Sequence, residues 1–137
     1  MRVLMIGFFL LFSGAFAIVP LGAEVPLQVR QGLTGAYFIA FVSPSCFTDQ
    51  TRAQHWGALE NVGASVLRVD SKAVVKPQLL ENWRFLNGLA ASDLTRDLKV
   101  RSLPTTVLVD RENRIRAVFE GVLEKQWVIE KLNDFGQ

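Results

Sequence analysis

The stretch Arg101–Asp110, "RSLPTTVLVD", decides how this chain is read. Pro104 stands immediately before Thr105–Asp110, a β-branched run of strand length. The four residues that follow, "RENR" (111–114), are polar and turn-favouring. Then comes "IRAVFEG" (115–121), a second strand closed by a glycine. Two strands joined by such a turn predict an antiparallel hairpin.

Upstream, Ala36–Val42, "AYFIAFV", is a continuous apolar run, as expected of a strand covered on both faces. Ser43-Pro44-Ser45 is a tight connection. From Cys46 to about Asn61 the sequence is helix-compatible, with Ser45 or Thr48 available as a cap and Ala53, Trp56 and Leu59 inward. Gly63 ends that helix, and "SVLRVD" (65–70) is the next strand. Pro77 suits the first turn of a further helix, on which Leu79, Trp83 and Leu86 share a face. Ser92-Asp93 opens a short helix to about Lys99, and a last helix covers about Leu123 to Phe135, with Val128, Leu132 and Phe135 inward. The predicted order is β-α-β-α-β-β-α. Its first two strands need a helical crossover and are parallel. The fold class is therefore α/β, a mixed sheet with helices on both faces.

With 137 residues, half of them hydrophobic, the chain is long enough for one domain with a substantial core. That domain is assigned to 36–137, behind an irregular segment at 24–35. Fifteen basic residues against 13 acidic give a net charge of +2. No basic run carries interleaved aromatics, so no nucleic-acid partner is expected. Arg111, Arg114 and Arg116 read as solvated turn charges. One cysteine and one histidine make no metal constellation, and no glycine-rich phosphate loop suggests a cofactor.

The N-terminus has its own composition. Arg2 is followed by an uncharged apolar stretch that lasts until Glu24. That pattern describes a secretory signal peptide. Small-x-small exits occur after Ala17 ("AFA") and after Ala23 ("LGA"); the second is preferred here, giving a signal at 1–23. The alternative is an uncleaved membrane anchor through 3–19, slightly short of the roughly 20 residues a span needs. Either way the domain is expected outside the cytosol, periplasmic or secreted, or membrane-anchored. A single leftover cysteine in such a compartment suggests a reactive thiol or intermolecular pairing.

The element order, with Cys46 after the first strand and Pro104 opening the third, resembles the thioredoxin superfamily, and more closely its exported TlpA and ResA type. Two segments carry the resemblance: "FIAFVSPSC", and "LKVRSLPTTVLVDRENRIRAVFEGVLEKQWVIEKL". The resemblance implies that Pro104 is cis and faces Cys46 across a shallow groove. It also implies that the backbone of Leu103 pairs with a client peptide, so that Leu103, Pro104 and Thr105 form the client-binding set. Cys46 would be the nucleophile. The departures are specific. The family's second cysteine falls at Asp49, its aromatic before the first cysteine is Ser45, and its buried acid six positions earlier is Ala40. The expected function is thiol-disulfide chemistry without a resolving thiol: mixed disulfides with a client or redox-partner protein, released only by an outside thiol. The alternative is a non-catalytic binding or assembly module. Whether the protein is an enzyme stays open at this point.

Cys46 at a helix start would sit where unpaired N–H groups favour an anion. Asp49 would share that first turn and repel a thiolate, either as a modulator or as an ordinary first-turn acid. His55 lies nine residues beyond Cys46, roughly 13 Å along a helix, too far to pair with it, and reads as surface or structural. Trp56, Trp83 and Trp127 read as core.

Overall fold

Every residue of the first strand, β1 (Tyr37–Phe41), is buried. In the computed structural model, which describes residues 18–73 and 75–136, β1 is the central strand of five. The apolar run at 3–17, on which most of the leader reading rests, lies outside the described residues. The remaining strands are β2 (Ser65–Asp70), β3 (Trp83–Asn87), β4 (Thr105–Val109) and β5 (Ile115–Glu120), in the order β3-β2-β1-β4-β5. β1 runs parallel to β2 and antiparallel to β4; β2 and β3 are parallel, and β4 and β5 form the hairpin.

Helices cover both faces. Phe38 and Ala40 point to one side with Val66 and Leu108, against Ala58 and Leu59 of α1 (Asp49–Leu59) and Val128 of α3 (Lys125–Phe135). Tyr37, Ile39 and Phe41 point to the other side with Leu67 and Val107, against Ala91 and Leu94 of α2 (Gly88–Asp97). Side chains alternate between the two faces of a strand. A strand covered twice therefore has no polar position, which is why "AYFIAFV" shows no alternation.

The α/β mixed-sheet expectation holds at the level of fold class, and one element differs. The segment expected as a helix from Pro77 contains the strand β3, so the described order is β-α-β-β-α-β-β-α. Leu79, Trp83 and Leu86 do recur at helical spacing, but Trp83 pairs with Val66 of β2 and takes its place in the sheet. The following helix then starts at Gly88 rather than Ser92, with Ala91, Leu94 and Leu98 inward.

The first helix also starts later than expected. Thr48 is its N-cap: Thr48 Oγ1 accepts from the Thr51 N–H (3.2 Å), and Thr51 Oγ1 accepts from the Thr48 N–H (2.8 Å). This reciprocal box satisfies two donors and sets the first helical residue at Asp49. Cys46 therefore precedes the helix. Within α1 it is His55, with Ala58 and Leu59, that faces inward, while Ala53 is exposed. In α3, Val128 is buried and Phe135 exposed.

The hairpin turn is held by Asp110, whose carboxylate accepts from the Arg114 N–H (3.0 Å) and from Arg116 Nε (2.5 Å). Burial pushes the Asp110 carboxyl up, but these bonds outweigh it and hold the pKa below the ordinary value. Arg116 is thus a structural partner rather than a free turn charge. Arg114 is engaged too, donating to the Gly22 carbonyl at 2.9 Å. The segment expected as irregular contains a short 3-10 turn, Leu27–Arg30.

Candidate functional site

Phe41, the last residue of β1, pairs with Thr105, the first of β4. The loop leaving β1 and the loop leading into β4 therefore lie side by side at one end of the sheet. This register brings the Cys46 segment and Leu103–Thr105 to the same edge.

Cys46 is held in a tight turn. Its N–H donates to the Ser43 carbonyl (3.2 Å), and its Sγ accepts from the Ser43 N–H (3.4 Å). The thiol is half-buried and forms no disulfide. The Leu103–Pro104 peptide bond is cis. Pro104 is buried, and its carbonyl accepts from the Gly121 N–H at 2.8 Å. Gly121 has φ of +110°, a conformation open to glycine, so the residue that ends β5 also clamps the proline. On the other side, Thr105 Oγ1 donates to the Ser102 carbonyl (2.7 Å). Between these two anchors Leu103 is 40% exposed, and neither its N–H nor its C=O has a partner among the described residues. Exposed backbone groups without partners are what a strand-like peptide needs for pairing.

Asp49 stands apart. Its side chain is fully exposed and paired with Arg52 at 2.8 Å, one turn along the same helix. An exposed pair of this kind is weakly coupled to anything else.

The sheet face beneath α1 carries polar groups that the sequence reading did not assign. Ala40 is in register with Arg68 on one side and Thr106 on the other, so the three residues form a row across β2, β1 and β4. The Arg68 guanidinium lies over the Trp56 ring, 4.5 Å from its centroid. Arg68 Nε, Trp56 Nε1, Thr106 Oγ1 and His55 Nε2 are all buried without a protein partner among the described residues. Burial lowers the Arg68 pKa; Asp70 opposes that, Arg52 adds to it, and a Cys46 thiolate opposes it. The signal available in the sequence was a guanidinium in the middle of the otherwise apolar strand "SVLRVD".

His55 belongs to this layer and is structural. It is fully buried, packs on Phe47 and Trp56 with ring centroids 4.8 and 4.9 Å apart, and accepts the Leu123 N–H at Nδ1 (3.1 Å). Burial, with Arg68 adding to it, pushes its pKa down to about 4. The imidazole is therefore neutral at neutral pH, with its proton on Nε2.

Two surface grooves, of about 430 and 520 Å³, lie away from this edge; neither is lined by Cys46 or Pro104. Among the described residues, no cluster of three or more His, Cys, Asp or Glu is placed to hold a metal ion, and no helix is long and apolar enough to cross a membrane. Chemically, the site offers one thiol and, at the same end of the sheet, the exposed backbone of Leu103.

No family model matches the chain, and no curated protein matches it in sequence. Solved structures do match. The exposed lipoprotein thioredoxin Etrx1 of Streptococcus pneumoniae is 20% identical, with a TM-score of 0.57 over 78% of this chain and 90% of its own. The thioredoxin domain of a thiol-disulfide oxidoreductase from Bacteroides vulgatus is 15% identical, with a TM-score of 0.58 over 86% and 99%. StoA of Bacillus subtilis is 10% identical, with a TM-score of 0.52 over 84% and 98%. Identities this low speak to architecture alone: the chain has the thioredoxin-like fold, and its structural neighbours are thioredoxin-domain proteins.

Proposed function

We propose that this protein is an exported thioredoxin-fold protein that forms mixed disulfides with client or redox-partner proteins through Cys46. The reading rests on one observation above all: the turn of Cys46 shares one end of the sheet with the exposed backbone of Leu103, which has no partner among the described residues. A client strand pairing with Leu103 would bring its disulfide to the thiol. The Cys46 thiolate then attacks one client sulfur, forming a Cys46–client disulfide and releasing the other client sulfur as a thiolate. No second cysteine exists to resolve the product. An external thiol must therefore attack the mixed disulfide, leaving as its own disulfide with the client and returning Cys46. Pro104 and Thr105 fix the edge, and Asp49 acts at most as a weak modulator. Localisation outside the cytosol rests on the apolar N-terminal run.

The test is direct. Purified protein is treated with oxidised glutathione and followed by intact mass. One stable glutathione adduct per chain, absent in Cys46→Ser, supports the reading, as do client adducts trapped from the native compartment and lost in the same variant. A folded protein whose thiol gains no adduct overturns it.

A second reading, a binding module without chemistry, is favoured by the same edge. The free backbone of Leu103 is available to a peptide whether or not Cys46 reacts. Under that reading Cys46→Ser binds clients as the parent does.

A further inference from the structure

Residues 18–23 were read as the end of a leader and 24–25 as the start of an irregular segment, yet 18–25 pack into the folded domain. Val25 is 2% exposed and Val19 8%, and both belong to the core cluster around Tyr37, Ile39 and Ile115. The segment runs antiparallel to the start of the hairpin's second strand. The Gly22 N–H donates to the Ile115 carbonyl (2.7 Å), the Ile115 N–H donates to the Ala23 carbonyl (3.0 Å), and the Val25 N–H donates to the Asn113 carbonyl (3.0 Å). Glu24 and Arg114 form the bridge between them, with their side chains 3.3 Å apart. The segment thus covers the first part of an edge strand, whose ladder groups otherwise stand open.

Both small-x-small exits must be weighed against this packing. Cleavage after Ala23 removes Val19 from the core. It also deprives Ile115, which is fully buried, of partners for both its N–H and its C=O. Uncovering them would leave the edge of β5 open at a residue the segment now buries. The new ammonium at Glu24 would also stand beside the Arg114 guanidinium, which faces this residue. Cleavage after Ala17 removes none of these contacts. Its new ammonium would fall on Ile18, which is 61% exposed and can be hydrated.

We infer that processing occurs between Ala17 and Ile18, and that Ile18–Val25 is retained as an edge segment of the mature domain. This rests on the export reading above and goes beyond it by naming the processing bond. The test uses the full-length chain produced in a cell that exports it, with intact mass and N-terminal sequencing of the product. The expected N-terminus is Ile18. Ala17→Phe, a bulky residue at the cleavage position, should leave the chain at precursor mass, whereas Ala23→Leu should be processed to Ile18 like the parent. A product outside the cytosol that begins at Glu24, or that keeps Met1, overturns the inference and leaves export standing; an unprocessed chain in the cytosol overturns both. A second arm uses the unexported full-length chain, which keeps Gly22 whatever the processing bond. There Gly22→Pro removes the donor to Ile115 and the φ of +84°, and should lower Tm by about 5 °C or more. An unchanged Tm would show that the segment is dispensable and would overturn the argument for its retention.

Discussion

Arg68 lies across Trp56, its guanidinium 4.5 Å from the ring centroid, on the sheet face that α1 covers. A cation held on an indole is partly desolvated, so its field reaches further than that of a surface lysine. Of the charges that act on Arg68, Cys46 contributes least, after Asp70 and Arg52. Coupling between two charges is mutual. Arg68→Gln should therefore slow alkylation of Cys46 at pH 7 more than any change at Asp49 does. Arg68→Lys should fall between the two. A folded Arg68→Gln protein that alkylates at the parental rate would remove Arg68 from the site.

Asp49 is expected to matter less than its position in the motif suggests. Its carboxylate is exposed and already paired with Arg52. Asp49→Asn should change the alkylation rate by less than about twofold, because exposed pairs contribute little and are screened. The two variants thus separate a buried coupling from a surface one, with iodoacetamide kinetics as the common readout.

Asp49→Cys tests the capping box. The Thr48–Thr51 exchange starts the helix at Asp49 and leaves Cys46 in a separate turn. Residue 49 is fixed in the helix while Cys46 lies outside it, so closing a disulfide between them is expected to compete with that box. Asp49→Cys treated with oxidised glutathione should therefore carry two adducts rather than an internal disulfide, as read by intact mass. Adding Thr48→Ala and Thr51→Ala should shift the product toward the closed form. Ready closure in the single variant would show that the cap does not constrain the site.

Much of this was legible in the sequence, and the limits have physical causes. The hairpin, the central strand and the last helix were read from hydrophobic runs and turn residues, which act locally. The strand β3 was not, because "WRFLN" is five residues long and its apolar spacing fits a helix equally well. The helix start was misplaced because both Ser45 and Thr48 are good caps, and only the Thr51 partner distinguishes them. The Arg68–Ala40–Thr106 row depends on strand register, which a single sequence does not specify between distant segments. His55 was read as surface or structural; its burial follows from the packing of Phe47 and Trp56 around it.

The buried histidine predicts a pH dependence of stability. His55 has a folded pKa of about 4 against an ordinary 6.5. Between those values the unfolded chain binds a proton that the folded chain does not. Stability therefore rises with pH across this window: it is complete above pH 6.5 and is lost as pH falls toward 4, by roughly 3 kcal/mol in all. Asp110, whose folded pKa is also lowered, acts in the same direction but mainly below the ordinary carboxylate range. His55→Gln keeps an acceptor for the Leu123 N–H and does not titrate. Urea denaturation at pH 4.5 and 7 should give a clearly smaller difference for His55→Gln than for the parent. Equal differences would show that His55 is not the titrating group.

The last prediction concerns Ala40, fully buried between Arg68 and Thr106 in register. An isolated carboxylate introduced into an apolar layer costs several kcal/mol or stays protonated. Here the neighbouring position carries a guanidinium whose Nε is buried without a partner among the described residues. Ala40→Asp should therefore be tolerated, with a Tm drop of roughly 5–10 °C, because the new carboxylate gains a charged hydrogen-bond partner. Removing the partner should expose the cost. Ala40→Asp combined with Arg68→Met should be destabilised beyond the sum of the two single changes by about 2–4 kcal/mol. Urea midpoints for the four proteins of the cycle give this coupling. Strict additivity would show that Arg68 does not reach the position above Ala40, and would weaken its proposed influence on Cys46 as well.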